Sequence, residues 1–324
     1  MRDFHFSSVV SFKYLYKFLA MQESLEKHCG NYHLFTLCSD STAYRILTRL
    51  PLKNITLLSI AHLESDELSQ ARQNRSYHEY CWTLKPYFLE YIMDAFKDTR
   101  YFAHLDADLY FYSEPEQIIS EAPSASLFLT DHNNSDNFLH TYKTSGRFNT
   151  GFVCCKNDTE AYSAVLWWKN KCLESCPIVA NVAEGLYGDQ KYVEKWPLLF
   201  NNVHKVVTKG ANVAQWNIQG FNVTCRKGDV YVNEDRLIFY HFSGLSILSR
   251  DEYNLSTFFR IEEKARRLIY IPYILNLAKQ VDFVANSVPD FKEGFADRRL
   301  TSNVHKEIIT DYRGSAEIGN CTFL

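Results

Sequence analysis

The chain has 324 residues, 46% of them hydrophobic, with 35 Lys and Arg against 38 Asp and Glu and a formal net charge of −3. That length and apolar content fill a large core and exclude a disordered or low-complexity chain, and the small net charge gives no global field for nucleic acid. Nine cysteines at irregular spacing, without a Cys-x-x-Cys pair beside partner histidines, argue against a zinc site or a disulfide framework and for reduced thiols in a cytosolic protein.

In chain order, Met1 to Phe6 lacks the apolar core of a signal peptide, and no run reaches the ~18 apolar residues of a membrane span. The expectation is a soluble, cytoplasmic chain, at most peripheral on the inner face of the membrane. Phe4 to Val10 reads as a strand, and the recurrence of Tyr14, Leu15, Phe18, Leu19 and Leu25 predicts a helix through Lys27. Tyr32 to Cys38 is a second strand; Ser39-Asp40-Ser41 then opens a short helix to Leu50, stopped by Pro51. A third strand, Ile55 to Ile60, precedes a polar helix from about Glu64 that carries Arg72 and Arg75. Thr83 is the predicted N-cap of a helix to about Phe96, with Pro86 tolerated in its first turn.

The apolar run Tyr101 to Leu105 is a fourth strand, and it leads to Asp106 and Asp108, spaced i and i+2 so that both fall on one strand face. Two adjoining carboxylates at a buried strand end repel each other and need a cation or polar ligand to stay ionised. A divalent ion carrying a phosphorylated substrate meets that need through oxygen ligands. Taken alone, the triplet also fits a solvated acidic turn. Repeated β-α units ending on an acidic strand tip predict an α/β fold with a largely parallel sheet, whose ligands bind outside the carboxyl ends of the strands.

Pro115 to Ile119 reads as a short helix and Ser126 to Thr130 as a strand ending on Asp131. Phe148 to Val153 is a polar corner opening into an apolar strand. There Gly151 permits close backbone approach and the Asn149 amide both donates and accepts, although an ordinary turn fits the same residues. Helical spacing returns from Ala161 to Cys172, with Trp167 and Trp168 as packing residues, and Tyr187 to Tyr192 opens another helix with Asp189 as a candidate N-cap. Leu237 to Phe242 is a strand that brings His241 to its end, just before Gly244; a lone histidine there is ordinarily structural. Farther on, Phe258 to Ile271 mixes aromatics with Arg260, Lys264, Arg266 and Arg267, and a second apolar helix surrounds Leu275 and Leu277. This pattern fits a helix packed on the preceding domain or a basic amphipathic helix on an anionic membrane.

Four pieces in this order, His104-Leu-Asp-Ala-Asp-Leu109, Asn149-Thr-Gly151, Asp189-Gln190 and His241-Phe-Ser-Gly244, resemble the nucleotide-sugar glycosyltransferases of the GT-A fold. The likeness is greatest to the family 8 type and the related bacterial polysaccharide glycosyltransferases. Glu79 to Pro86 and Gly210 to Asn217 resemble the bacterial subgroup as well. The resemblance implies a Rossmann-like α/β domain over residues 1–250, with a mostly parallel sheet flanked by helices; the tail carries no matching motif, and its own pattern predicts a helical extension over 251–324. It implies that Asp106, Asp108 and His241 hold Mn²⁺ or Mg²⁺, the imidazole favouring manganese. Gln190 would face the anomeric carbon and Asp189 would hold sugar hydroxyls, while Lys85, Arg72, Asp106, Asn149, Gly151 and Gly244 would bind the donor. The implied donor is a nucleoside-diphosphate sugar, UDP being the default. The implied acceptor is a glycan or a lipid-linked glycan, and the implied reaction retains anomeric configuration in bacterial surface polysaccharide biosynthesis.

Two departures stand out. Leu245 to Ser249 occupies the place where the family carries a lysine that meets the diphosphate, so a second cation must come from Arg250, Lys85 or Arg72, or the metal acts alone. Val9 to Tyr14 replaces the Asp-x-x-Tyr beginning that helps the family read uracil. A catalytically silent sugar-nucleotide binder or scaffold of the same fold is the main alternative. A haloacid dehalogenase-type phosphatase fits less well, because Tyr110 stands where Thr or Val is wanted, and a nucleotidyltransferase would need an early Gly-rich loop where only Gly30 occurs in the first 100 residues.

Overall fold

Residues 2–255, 259–297 and 308–310 are described by the computed structural model. Their contacts divide them into one unit drawn from residues 1–11, 30–106 and 116–207 and another drawn from 12–29, 107–115 and 208–324.

The first unit is built on apolar runs that read as strands, β1 (Arg2–Val10), β2 (Tyr32–Cys38), β3 (Ile55–Ser59), β4 (Thr99–Leu105), β6 (Leu127–Asp131) and β7 (Phe148–Lys156), together with the short β8 (Val203–Lys205), which the sequence pattern did not predict. Helix α1 (Leu15–His28) and strand β5 (Leu109–Phe111) belong to the second unit. The seven strands form one sheet in the order β3-β2-β1-β4-β7-β6-β8. Every pairing from β3 to β4 is parallel, as is β6 with β8, while β7 runs against both of its neighbours. The sheet is therefore mostly parallel, as expected, and its central strands are near-continuous apolar runs because they are buried on both faces.

The helices of this unit are α2 (Ser41–Leu47), α3 (Asp66–Asn74), α4 (Tyr77–Ala95), α5 (Glu116–Ser120), α6 (Tyr142–Ser145), α7 (Thr159–Glu174), α8 (Gln190–Val193) and α9 (Trp196–Leu199). Asp40 caps α2, accepting from Ala43 N at 2.7 Å. Helix α4 departs from the expected start. Its N-cap is Ser76 and not Thr83: Ser76 Oγ accepts from Glu79 N at 3.3 Å, and the Glu79 carboxylate accepts from Ser76 N at 2.7 Å. This capping box satisfies two otherwise orphaned backbone donors, so the helix begins about two turns earlier. Thr83 lies inside, donating to Glu79 O at 2.8 Å, and Pro86 sits mid-helix. The core lies where Leu84, Phe88, Leu89 and Ile92 of α4 meet Ala161, Ala164, Val165 and Trp168 of α7. Arg75 locks this pair by donating to Cys172 O at 2.8 Å and Leu173 O at 2.9 Å.

In the second unit, β5 pairs antiparallel with β13 (Phe239–His241), which runs parallel to β9 (Val213–Ala214). A meander, β10 (Val223–Arg226), β11 (Asp229–Val232) and β12 (Asp235–Arg236), and a small sheet of β14 (Ser246–Ser249), β15 (Glu252–Asn254) and β16 (Ile308–Ile309) accompany them. The two helices expected near the C-terminus form one helical run: α10 (Glu263–Ala265), a π-helical turn over Arg266–Tyr270, and α11 (Ile271–Ser287). Phe258, the first residue of the expected basic helix, lies outside the described residues. Helix α11 buries Ile274, Leu277, Val281 and Val284, one helical stripe, and contacts α1. No described helix is long and apolar enough to cross a membrane. Among the described residues seven cysteines are free thiols, while Cys225, half-buried on β10, is disulfide-bonded, against the expectation of reduced thiols.

Candidate active site

In the first unit the acid at the end of β4 is anchored from several sides. Asp106 N donates to Gly151 O at 2.8 Å, tying the Asn149–Gly151 corner to the strand end. Lys85, projecting from the middle of α4, places Nζ 2.8 Å from Asp106 Oδ1, 3.0 Å from Oδ2 and 3.6 Å from Asp189 Oδ2. His104 Nε2 lies 3.1 Å from Asp106 Oδ1, and its Nδ1 lies 3.2 Å from Ser7 Oγ. One lysine thus serves two carboxylates. Burial pushes the Asp189 carboxyl above its ordinary range, against the pull of Lys85, while nearby Asp106 adds to the rise. Burial also pushes the His104 imidazole down, opposed by Asp106.

Asp189 precedes α8, but its side chain makes no capping bond. Instead it accepts from Thr150 Oγ1 at 2.7 Å, so the capping reading gives way to a buried cluster. Gly188 turns the chain there with φ +52°, a conformation that favours glycine, and a Cβ on it would lie 3.1 Å from the Trp82 ring. Trp168 is a packing residue, as expected, and its indole Nε1 also donates to Asp189 O at 2.8 Å. Asn149 Oδ1 accepts from Gly151 N at 2.9 Å, and Gln190 Nε2 donates to Ser145 O at 2.6 Å. Of the basic candidates in this unit, Lys85 meets the acids; Arg72 is exposed on α3, and Arg75 is engaged with the end of α7.

In the second unit the β5–β13 pairing sets Leu109 opposite His241. Phe242 N donates to Asp108 O at 2.9 Å, and Asp108 Oδ1 lies 3.2 Å from His241 Nε2. Trp216 packs edge-on against His241, with ring centroids 5.4 Å apart at 82°. The segment that brings Trp216 there is tightly specified: a Cβ on Gly210 would fall 1.9 Å from Arg236 O, and Asn217 accepts from Ala214 N at 2.9 Å while donating to Asn212 O at 3.0 Å. On the other side of Asp108, Lys17 Nζ lies 3.8 Å from Oδ2 and 5.0 Å from the Tyr14 ring centroid. Burial pushes the Lys17 ammonium down, and Asp108 opposes it. Arg250, a candidate for the second cation, is committed to Asp282 through Nε and through Nη2 at 2.5 Å.

The residues of the second unit fit a divalent ion. Two ligand atoms on adjacent corners of one ion, each ~2.1 Å from it, are ~3 Å apart, close to the 3.2 Å between Asp108 Oδ1 and His241 Nε2. Asp106, separated from Asp108 along the chain by Ala107 alone, is the other acid of the triplet. An oxygen-rich set with one imidazole suits Mn²⁺ and tolerates Mg²⁺. Sequence reasoning missed Lys17, Thr150, Trp216 and the partnership of His104 with Asp106. The available signal for Lys17 was a lone charge within the otherwise apolar or aromatic run Leu15 to Met21.

No family model matches the chain. Two proteins of Bacillus subtilis (strain 168) do. Uncharacterized protein YfnD is 46% identical over 306 residues, 94% of this chain and 98% of YfnD. Uncharacterized protein YfnF is 32% identical over 257 residues, 76% of this chain and 83% of YfnF. Among solved structures, the galactosyltransferase LgtC in complex with donor and acceptor sugar analogs aligns with a TM-score of 0.50 at 10% identity, covering 87% of this chain and 95% of LgtC. The apo form of mouse xyloside xylosyltransferase 1 gives 0.46 at 15% identity, covering 74% of this chain and 98% of that protein. The likeness to LgtC is one of fold, the GT-A architecture of an α/β sheet flanked by helices.

Proposed function

The chain belongs to the family of Bacillus subtilis YfnD and YfnF, and from its site we propose that it is a metal-dependent glycosyltransferase. In this reading it moves a sugar from a nucleoside-diphosphate sugar, UDP being the default carrier, to a glycan or lipid-linked acceptor with retention, in bacterial surface polysaccharide synthesis. The observation that carries the reading is the pairing of Asp108, two residues after the acid Asp106 in the chain, with His241 at 3.2 Å, on a GT-A fold.

Asp106, Asp108 and His241 would hold the ion, which when bound supplies a Lewis acid to the diphosphate. The remaining work falls to side chains. Lys85 offsets the repulsion between Asp106 and Asp189, so two acids can coexist beside the sugar. Asp189, fixed by Thr150 and by the Trp168 bond to its backbone, would hold sugar hydroxyls. Gln190, steadied through Nε2 on Ser145 O, would turn its carbonyl oxygen to the anomeric carbon. Asn149 and Gly151 would line the donor at the corner bound to Asp106 N.

A thermal-shift screen of UDP-, GDP- and CMP-sugars with Mn²⁺ identifies the donor, and NMR of the product's anomeric proton reads retention. Release of free nucleoside diphosphate only when donor and acceptor are both present supports transfer. Donor binding without release under any acceptor tested would favour the silent binder instead. A donor screen with no Mn²⁺-dependent stabilisation would remove the metal from the reading.

A further inference from the structure

Lys17 has no part in the assignments above, yet it is buried, its side chain 10% exposed, within the second unit beside Asp108. The ammonium carries three donors. Its distance to Asp108 Oδ2, 3.8 Å, is beyond an ordinary hydrogen bond, and the face of Tyr14 at 5.0 Å gives only a cation–π contact. The other oxygen of Asp108 is engaged with His241 at 3.2 Å. A divalent ion on Asp108 and His241 therefore draws on the same carboxylate that neutralises Lys17. Both cationic centres then draw on Asp108, and an anion reaching both relieves the excess positive charge there.

We propose that Lys17 Nζ binds a phosphoryl oxygen of the donor's diphosphate and of the nucleoside diphosphate that leaves. The assignment rests on the glycosyltransferase reading. Within the second unit it supplies the cation that Leu245 to Ser249 lacks and that Arg250, bound to Asp282, does not offer. The competing role is a plain counter-ion, in which Lys17 only keeps Asp108 ionised. A counter-ion would influence Mn²⁺ binding and leave the gain from a diphosphate unchanged.

Calorimetry on the full-length protein separates the two. Mn²⁺ alone is titrated first, then inorganic pyrophosphate and UDP into the Mn²⁺-saturated protein, for wild type, Lys17→Met, Lys17→Arg and, as a control at an exposed position, Lys13→Met. Lys17→Met should weaken pyrophosphate and UDP about ten- to hundredfold, the scale of one charge-assisted hydrogen bond, without weakening Mn²⁺ alone. Lys17→Arg should recover most of that loss, and Lys13→Met should match wild type. If Lys17→Met unfolds, Lys17→Gln, which keeps a hydrogen-bonding head without the charge, gives the same comparison. Equal pyrophosphate affinity in wild type and the neutral variant overturns the role of Lys17 and leaves the transferase reading standing. Wild-type protein that binds neither pyrophosphate nor UDP in the presence of Mn²⁺ overturns both.

Discussion

In the first unit Asp106 is gripped on both oxygens, by Lys85 at 2.8 and 3.0 Å and by His104 at 3.1 Å. In the second unit Asp108 meets His241 at 3.2 Å and its lysine only at 3.8 Å. Both acids have a buried lysine, but the attachments differ in kind. A carboxylate with both oxygens in short charge-assisted bonds is an anchor that gives up partners at high cost. One held at longer range can exchange a side chain for an ion. Under the proposed function, this contrast would make Asp108 the ligand that exchanges and Asp106 the anchored acid.

The largest effect expected from the contrast is at Asp108. Asp108→Asn should lower Mn²⁺-dependent transfer about a thousandfold, the several kcal/mol that Lewis-acid stabilisation supplies, and lower the melting temperature because buried Lys17 loses its counter-ion. Asp106→Asn should cost more in stability, because Lys85 and His104 lose an ionised partner. Initial-rate assays with chelator controls, run beside thermal melts, compare the two. If Asp106→Asn and Asp108→Asn proved equal in both measurements, the distinction between anchor and exchanging ligand would be wrong.

Next comes the cation of the anchored side. Lys85→Met leaves Asp106 and Asp189 without their shared partner, which should destabilise the protein by about 3 kcal/mol in urea denaturation. Asp189→Asn in the same background should recover part of the loss. The pH dependence has a definite sign. The Asp189 carboxyl is already raised by burial, so the folded state binds its proton more readily than the unfolded chain, whose value is ~3.9. Stability from this group therefore falls as pH rises above the unfolded value toward the folded one. Removing Lys85 raises the folded value further, so the penalty should be largest at neutral pH and shrink toward about pH 4. A penalty independent of pH would show that Lys85 acts through packing.

On the exchanging side, Gly244 supports the turn after His241. Its φ is +91°, and a Cβ would come within 2.6 Å of the Gln215 amide. Gly244→Ala should cost about 2 kcal/mol of stability through backbone strain and displaced packing and weaken donor binding, whereas Gly228→Ala tests the backbone term alone. Gly228 also has positive φ, +92°, but nothing lies within 4 Å of its added Cβ. Equal effects at the two glycines would remove the Gln215 contact from the account.

Much of this contrast was legible in the sequence, and the reason is local. Asp106, Asp108, Gly151 and His241 each stand at an end of an apolar run, where periodicity stops and chemistry shows. The reversal of β7 was not legible, because an apolar run carries no direction. Nor was the interleaving of the units, since it depends on which distant segments pack together. Lys17 and His104 were missed because the burial of a charged or titratable side chain is decided by those distant segments. Asp189 shows the same limit from the other side: its place before α8 suggested a cap, while Thr150, 39 residues away along the chain, claimed the carboxylate at 2.7 Å.

The start of α4 was readable and was misread, which makes it the finest test of how Lys85 is anchored. Ser76 and Glu79 form a reciprocal capping box, and Lys85 lies more than two turns inside the helix. Ser76→Ala removes one side of the box and should cost about 1 kcal/mol, the smallest effect in the series. Between the cap and Lys85 the helix is held independently, because Arg75 donates to Thr83 Oγ1 at 2.7 Å and to the end of α7. Fraying of the first turn should therefore stop before Lys85, leaving donor affinity at the wild-type value while the urea midpoint falls. Hydrogen exchange would show faster exchange at the amides of residues 77–80 and unchanged protection around Lys85. If donor affinity fell with the midpoint, the rigidity of the Lys85–Asp106 attachment would depend on the cap, and the anchored side would be as adjustable as the exchanging one.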